Sequence, residues 1–403
     1  MPQFPAERSA QLLRKARDAF RPDDRVRAFL APGRVNLIGE HTDYNEGFVL
    51  PAALDLGLVV LVAPRADGYV VAVSADEGPD DCFDLASPVR LEGTIWSNFV
   101  RGVVGALQEG YGGLGGFTLA VASTIPIGAG LSSSAAIEVG VAFALCETFG
   151  ITIPRPDLAL MCQRVENRFI GVNCGIMDQF VVANATGGHA LFLDCRDLAT
   201  RHVPLPADDV AIVVCDTTKA RTLAGSKYNE RRAECESAVA VARRRHSGVT
   251  ALRDVTPEML DEIEPDVPEH VLRRARHIVS EDLRVLASVD ALAEGDVATF
   301  GRLMNESHVS LRDDYEVSCP ELDAMVEIAQ SVDGVLGSRM TGAGFGGCTV
   351  SLVRVDAVDA LERAVAERFP AASGLTPAVY RSTASAGVHE EDPAQLLGES
   401  VLP

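Results

Sequence analysis

The residues best suited to chemistry begin with Pro126-Ile127-Gly128-Ala129-Gly130-Leu131-Ser132-Ser133-Ser134-Ala135-Ala136. Glycines let a backbone approach an anion closely and take positive φ. Three consecutive hydroxyls can cap a helix, donate to phosphate or ligate a hard cation. A helix starting here adds N–H groups without intrahelical partners and the positive end of its dipole. Alone, such a loop is more often a serine-capped helix after a turn. A second cluster is Pro32-Gly33-Arg34-Val35-Asn36-Leu37-Ile38-Gly39-Glu40-His41-Thr42-Asp43-Tyr44, which packs an arginine, an imidazole and carboxylates around turn-favouring glycines. Glu40, His41 and Asp43 suit a metal cluster, a polar turn, or recognition of a polyol, whose hydroxyls both donate and accept. Spacing leaves the three open. Two further carboxylates stand out: Glu166 inside a helical pattern, where a solvated face is ordinary, and Asp178 after the turn Asn173-Cys174-Gly175, where a helix cap is ordinary.

Other glycine patterns lead nowhere. Gly342–Gly347 and Gly110–Gly115 both fit G-x-G-x-x-G. A dinucleotide site needs a strand before that motif and a helix directly after it. The first is followed by a strand pattern and the second follows a helical one. No Gly-Lys pair exists, which excludes a P-loop phosphotransferase.

The elements that must position these residues come from a 403-residue chain, long enough for two or three domains with substantial cores. With 47% hydrophobic and 23% charged residues it reads as soluble and globular. Its 36 basic residues face 57 acidic ones, a formal net charge of −21, which disfavours nucleic acid and anionic membranes as partners. An anionic ligand would need local positive charge, supplied mostly by arginine, since Lys15, Lys219 and Lys227 are the only lysines. The nine cysteines form no Cys-x-x-Cys pair and suit unpaired thiols in a reducing compartment. No apolar signal core precedes Phe20, and no apolar run approaches membrane-spanning length. These features predict a cytoplasmic protein.

Periodicity predicts a helix over 7–20, a strand over 26–31, strands over 56–63 and 69–74, and a helix from Trp96 to Leu107. A strand over 117–121 leads into the serine loop and a helix over 135–149. One further helix runs from Pro154 to about Ile170, carrying Glu166. Strand patterns at 189–194 and 210–216 flank a domain boundary near Pro204 and Pro206, giving domains over 1–205 and 206–403. The second half reads as helices over 229–245, 268–280, 282–294, 297–310 and 321–331. Strands at 335–340 and 348–353, a helix at 358–369 and a strand at 378–382 follow. The tail from Ala384 has little pattern and is expected at the surface. Strands interleaved with helices indicate an α+β (mixed α/β) fold.

Taken together, these stretches resemble the galactokinase family, within the superfamily that also holds homoserine, mevalonate and phosphomevalonate kinases. Gly33–Tyr44 resembles that family's signature, and Pro126–Ala136 the superfamily's ATP-phosphate loop. Cys174-Gly175-Ile176-Met177-Asp178-Gln179 and Gly337–Gly347 resemble two further segments, in the same order. The resemblance implies two domains with the active site between them. It implies a sugar surrounded by Arg34, Glu40, His41, Asp43, Gly175, Asp178 and Tyr228, with Asp178 beside the attacking hydroxyl and Arg34 next to it. It implies ATP held by Gly128, Ala129, Gly130, Leu131, Ser132, Ser133 and Ser134, with Trp96 at the adenine and Arg221 near the phosphates. Ser134 and Glu166 resemble the Mg²⁺ ligands. The implied reaction is phosphorylation of galactose at its 1-hydroxyl by a monomeric enzyme. Rival readings are an N-acetylgalactosamine kinase and a non-catalytic sugar sensor. The uninterrupted Ser132-Ser133-Ser134-Ala135-Ala136 favours an enzyme.

Overall fold

A computed structural model describes residues 6–21, 23–76, 78–93, 96–126, 128–220 and 224–397. Helix α1 (Ala6–Ala19) lies on one face of a six-stranded sheet, burying Leu12 and Ala16 there. The sheet contains β1 (Arg27–Asn36), β3 (Pro51–Arg65), β4 (Tyr69–Ser74), β5 (Asp81–Asp84) and β6 (Gly116–Ser123), while the short β2 (Phe48–Val49) lies outside it. Their order is β13-β1-β3-β6-β4-β5, β13 being the returning His389–Glu391. Both faces are covered, so β3 reads as an almost unbroken apolar run. Leu58, Val60 and Val62 enter the main core, and Val59, Leu61 and Ala63 the core beneath α1.

The main core is roofed by α2 (Ser97–Gly110), α3 (Ser133–Phe149), α4 (Arg155–Arg164) and α5 (Met177–Asn184). Helix α3 has no polar face because it is buried nearly all round, from Ala135 to Cys146. Beyond it, β7 (His189–Asp194) and β8 (Thr200–Pro204) join β2 in a three-stranded sheet.

The second half contains β9 (Val210–Asp216), α6 (Ala224–Arg245), α7 (Pro257–Ile263), α8 (Glu269–Ala293), α9 (Val297–Asp313) and α10 (Pro320–Gln330). It continues through β10 (Val335–Met340), β11 (Cys348–Arg354), α11 (Val358–Ser373) and β12 (Ala378–Ser382). A four-stranded antiparallel sheet, β10-β11-β9-β12, carries α10 and α11 on one face. The helix α12 (Pro393–Leu397) closes the described chain against α1.

Four expectations are corrected. The strand at 26–31 does not end before Pro32-Gly33-Arg34. It continues to Asn36 through a register shift between Pro32 and Arg34. The single helix from Pro154 to Ile170 divides into α4 and a π-helical turn, Val165–Ile170. The two helices at 268–280 and 282–294 are one, α8; Ser280-Glu281-Asp282 looks like a helix start, but the Ser280 hydroxyl bonds back to the His277 carbonyl within the helix. The tail returns to the first sheet, where Glu391, Glu390 and His389 face Ala28, Phe29 and Leu30. The halves divided at 205/206 in the sequence therefore share that sheet.

Candidate active site

A cleft of about 580 Å³ opens where the serine loop, the Arg34–Tyr44 stretch, the Gly171–Asp178 turn, α6 and the Gly342-Ala343 corner meet. Arg34, near the end of β1, is 6% exposed and joins three of these parts. Its Nε donates to Asp178 Oδ1 at 2.8 Å and its second guanidinium nitrogen to Asp178 Oδ2 at 2.6 Å. The remaining nitrogen donates to the Gly130 carbonyl at 2.7 Å. The Ser132 hydroxyl also donates to Asp178 Oδ2. Asp178 sits in the first turn of α5, so it does not cap that helix; its side chain is turned to Arg34 and the loop.

Ser132 adopts φ 61°, a left-handed conformation that costs a non-glycine residue energy, and α3 begins at the next residue. That kink aims the first turn of α3 at the cleft, where its N–H groups have no intrahelical partners. Gly128, Gly130, Ser132, Ser133 and Ser134 line the cleft. Ala129 and Leu131 instead pack into the core, and Leu131 contributes a carbonyl that accepts from the Arg34 N–H at 3.1 Å. Ile127 lies outside the described residues.

Glu166 is 7% exposed, not a solvated helix residue. The π turn widens the helix where Glu166 leaves it, a common device at functional sites. Burial, then the nearby Asp178, raise its pKa, and hydrogen bonds from Cys174, Ser134 and Gln179 oppose the shift. The Gln179 amide donates to Glu166 Oε2 at 2.5 Å and to Glu138 Oε2 at 3.1 Å, with Gln179 and Glu138 fully buried. Burial and then Glu166 push Glu138 well above the usual carboxyl range. Among the described residues no three His, Cys, Asp or Glu side chains form a metal cluster. The Ser134 hydroxyl against the Glu166 carboxylate is a hard-oxygen pair, which suits a Mg²⁺ that takes its remaining ligands from phosphate and water.

On the other side of the cleft Glu40 is 3% exposed and paired with Arg339 at 2.7 Å. Burial raises its pKa while Arg339 and Arg34 oppose that. His41 has φ 65°; its Nδ1 lies 2.8 Å from the Tyr44 hydroxyl, which lies 2.7 Å from that of Tyr315. Its Nε2 has no hydrogen-bond partner among the described residues, and burial lowers its pKa to about 3. Burial and then Asp178 raise Asp43 to about 7. Gly175 crosses so close to Asp43 that a Cβ there would lie 1.7 Å from its Oδ2, so any side chain at 175 would displace that carboxylate. Tyr228 of α6 closes this side, its ring centroid 5.7 Å from that of His41.

The structure thus brings Arg34, Glu40, His41, Asp43, Gly175, Asp178, Tyr228, Ser134 and Glu166 to one cleft. Trp96 stands apart, its indole N–H donating to the Pro79 carbonyl at 3.1 Å. Arg221 lies outside the described residues. Sequence reasoning missed Arg339, Tyr315 and Gln179. Only Arg339 left a trace, as a charge inside a short apolar strand, where burial demands a partner.

Comparison with known proteins shows the family. The model of the galactokinase galactose-binding signature matches residues 17–64. Models of the N-terminal and C-terminal domains of GHMP kinases match 98–186 and 288–371. A galactokinase of Roseiflexus sp. is 50% identical over 358 residues, 89% of this chain and 91% of the relative. The chain belongs to the galactokinase family. A galactokinase of Chloroflexus aurantiacus is 49% identical, again over 89% of this chain and 92% of its own. Lactococcus lactis galactokinase, solved with galactose, superposes with a TM-score of 0.89 at 39% identity, covering 94% of this chain and 99% of its own. A mevalonate kinase of 18% identity shares the fold, with a TM-score of 0.62. This galactokinase-family chain is an ATP-dependent sugar kinase with a two-domain α+β fold.

Proposed function

We propose that the cleft holds galactose beside Glu40, His41, Asp43, Gly175 and Tyr228, and the phosphates of ATP at the serine loop. The γ-phosphoryl group passes to the anomeric 1-hydroxyl, giving galactose 1-phosphate and ADP. The observation that carries this reading is the Asp178 carboxylate, held by Arg34 and Ser132 where the loop meets the Glu40–Asp43 stretch. Phosphoryl transfer has a loose transition state, so positioning and charge stabilisation dominate. Asp178 orients the hydroxyl and takes its proton. Arg34 places positive charge between that carboxylate and the loop, in a chain whose net charge is −21. Ser134 and Glu166 would hold Mg²⁺, which would supply neutralisation of phosphate charge. The reading extends to a cytoplasmic monomer with domains over 1–205 and 206–403, the returning β13 crossing back to pair with β1. Sugar-dependent ADP release with galactose and N-acetylgalactosamine in parallel is the direct test. Preference for the acetylated sugar would overturn the substrate, and binding of both ligands without turnover would make the protein a sensor.

Two expectations follow from single carboxylates. Asp43 gains its proton as pH falls through about 7, and the protonated group is the weaker acceptor for sugar hydroxyls. The galactose KM should therefore rise below pH 7, and Asp43→Asn should have a high KM that no longer changes over that range. A wild-type KM flat from pH 8 to pH 6 would remove Asp43 from the sugar contacts. Glu166→Gln keeps size but removes the charge. It should raise the Mg²⁺ concentration needed for activity and weaken Mn²⁺ binding read by electron paramagnetic resonance, with galactose affinity nearly intact. Unchanged metal dependence would leave Glu166 as a structural partner of Gln179.

A further inference from the structure

The segment from Gly39 to Phe48 precedes α3 by many residues, yet the second half of the chain holds it in shape. Fully buried Glu281 on α8 accepts from the Gly39 N–H at 3.0 Å and, more loosely, from the Glu40 N–H at 3.4 Å. Its carboxylate is itself fixed by the Ser307 hydroxyl at 2.6 Å and Arg284 at 2.7 Å. One turn earlier, His277 Nε2 donates to the Glu40 carbonyl at 3.1 Å, and its Nδ1 lies 2.9 Å from the Ser310 hydroxyl. Beside Glu281, Asp282 accepts from the Phe48 N–H at 2.8 Å; Gly47 allows this, since a Cβ there would lie 2.3 Å from Asp282 Oδ1. The N–H, the carbonyl and the carboxylate of Glu40 are thus held by Glu281, His277 and Arg339, all from the second half.

This clamp acts on an unusual stretch of backbone. Gly39 has φ 96° and His41 φ 65°, so the chain turns through left-handed conformations on either side of Glu40. Such geometry persists only where the surroundings over-determine it. No strand or helix includes Gly39 to Thr42, and without Glu281 two backbone donors would be buried unpaired. The orientation of their peptides sets where the Glu40 and His41 side chains point. We propose that Glu281 is a positioning residue for the sugar, fixing the Gly39–Glu40 backbone so that Glu40 and His41 face the cleft and tying sugar affinity to the seating of α8. The proposal rests on the assignment of this segment to the sugar given above.

The test is steady-state kinetics on Glu281→Ala, Glu281→Gln and Glu40→Ala, with galactose and ATP varied in turn. Glu281→Ala is expected to raise the galactose KM about 10- to 100-fold, the range of a lost hydrogen bond to a charged group. The ATP KM and kcat at saturating galactose should stay within about twofold. Glu281→Gln keeps an acceptor for the Gly39 N–H and should recover much of the loss. If Glu281→Ala does not fold, Ser307→Ala should raise the galactose KM alone, to a smaller extent. An unchanged galactose KM in folded Glu281→Ala, or equal rises in both KM values with a lower Tm, overturns the positioning role. If Glu40→Ala leaves the galactose KM unchanged, the sugar assignment itself fails, whatever Glu281 does.

Discussion

Asp178→Asn is expected to lower kcat by about 10²- to 10⁴-fold, the usual contribution of general acid–base catalysis. Binding of galactose and ATP should change far less, because the lost interaction belongs mainly to the transition state. Asparagine is nearly isosteric and can still hydrogen-bond a sugar hydroxyl, but it is a poor proton acceptor. The surroundings sharpen the comparison. Both oxygens of Asp178 accept from Arg34, at 2.8 and 2.6 Å, and one also accepts from Ser132. An amide must turn its NH₂ toward one of these donors, so Arg34 loses part of its fork as well. Single-turnover phosphoryl transfer, with both affinities measured separately, is the decisive experiment. A near-normal chemical step would leave Asp178 as an anchor for Arg34 and remove it from catalysis.

Arg339→Met should cost about 3–5 kcal/mol of stability, the usual result of removing one partner from a buried ion pair. Arg339 is fully buried and donates to Glu40 Oε2 at 2.7 Å and to the Asn36 carbonyl at 2.9 Å. Without it Glu40 keeps its burial and loses its main opposing charge, so its already raised pKa climbs further. A group whose folded pKa is raised contributes stability at low pH and loses it as pH rises through that pKa. The deficit should therefore be larger in urea titrations at pH 8 than at pH 5. Arg339→Met combined with Glu40→Gln removes both charges and should regain much of the stability, while the galactose affinity stays low. A single variant as stable as the parent at pH 8 would show that Glu40 finds another partner.

What could be read from the chain divides along physical lines. Strand β3 and helix α3 were legible because local pattern and tertiary burial agree: an apolar run covered on both faces, and a glycine–serine turn opening a helix. The cleft was legible where the family's segments keep their order, as at Arg34, Ser134 and Asp178. Beyond that, contacts distant in sequence decided the outcome. Pro32 and Gly33 look like a turn, but pairing with β3 extends the strand through them. Ser280-Glu281-Asp282 looks like a helix start because nothing nearby reveals that the two carboxylates receive N–H groups from Gly39 and Phe48. The π turn at Val165 leaves no mark in a periodicity built on 3.6 residues per turn. Arg339 and Gln179 acquire their meaning only from Glu40, Glu138 and Glu166.

The returning strand β13 bears on how this protein is made. Arg27 and Glu390 clasp each other across 363 positions of sequence. On a ribosome, β1 therefore emerges early and finds β3 soon afterwards, while its outer edge stays open through nearly all of translation. Open apolar edges invite pairing with other molecules. A nascent or proteolytically clipped chain without His389–Glu391 carries a sticky seam along Ala28, Phe29 and Leu30. Those few returning residues cover part of an edge that would otherwise stay open for pairing.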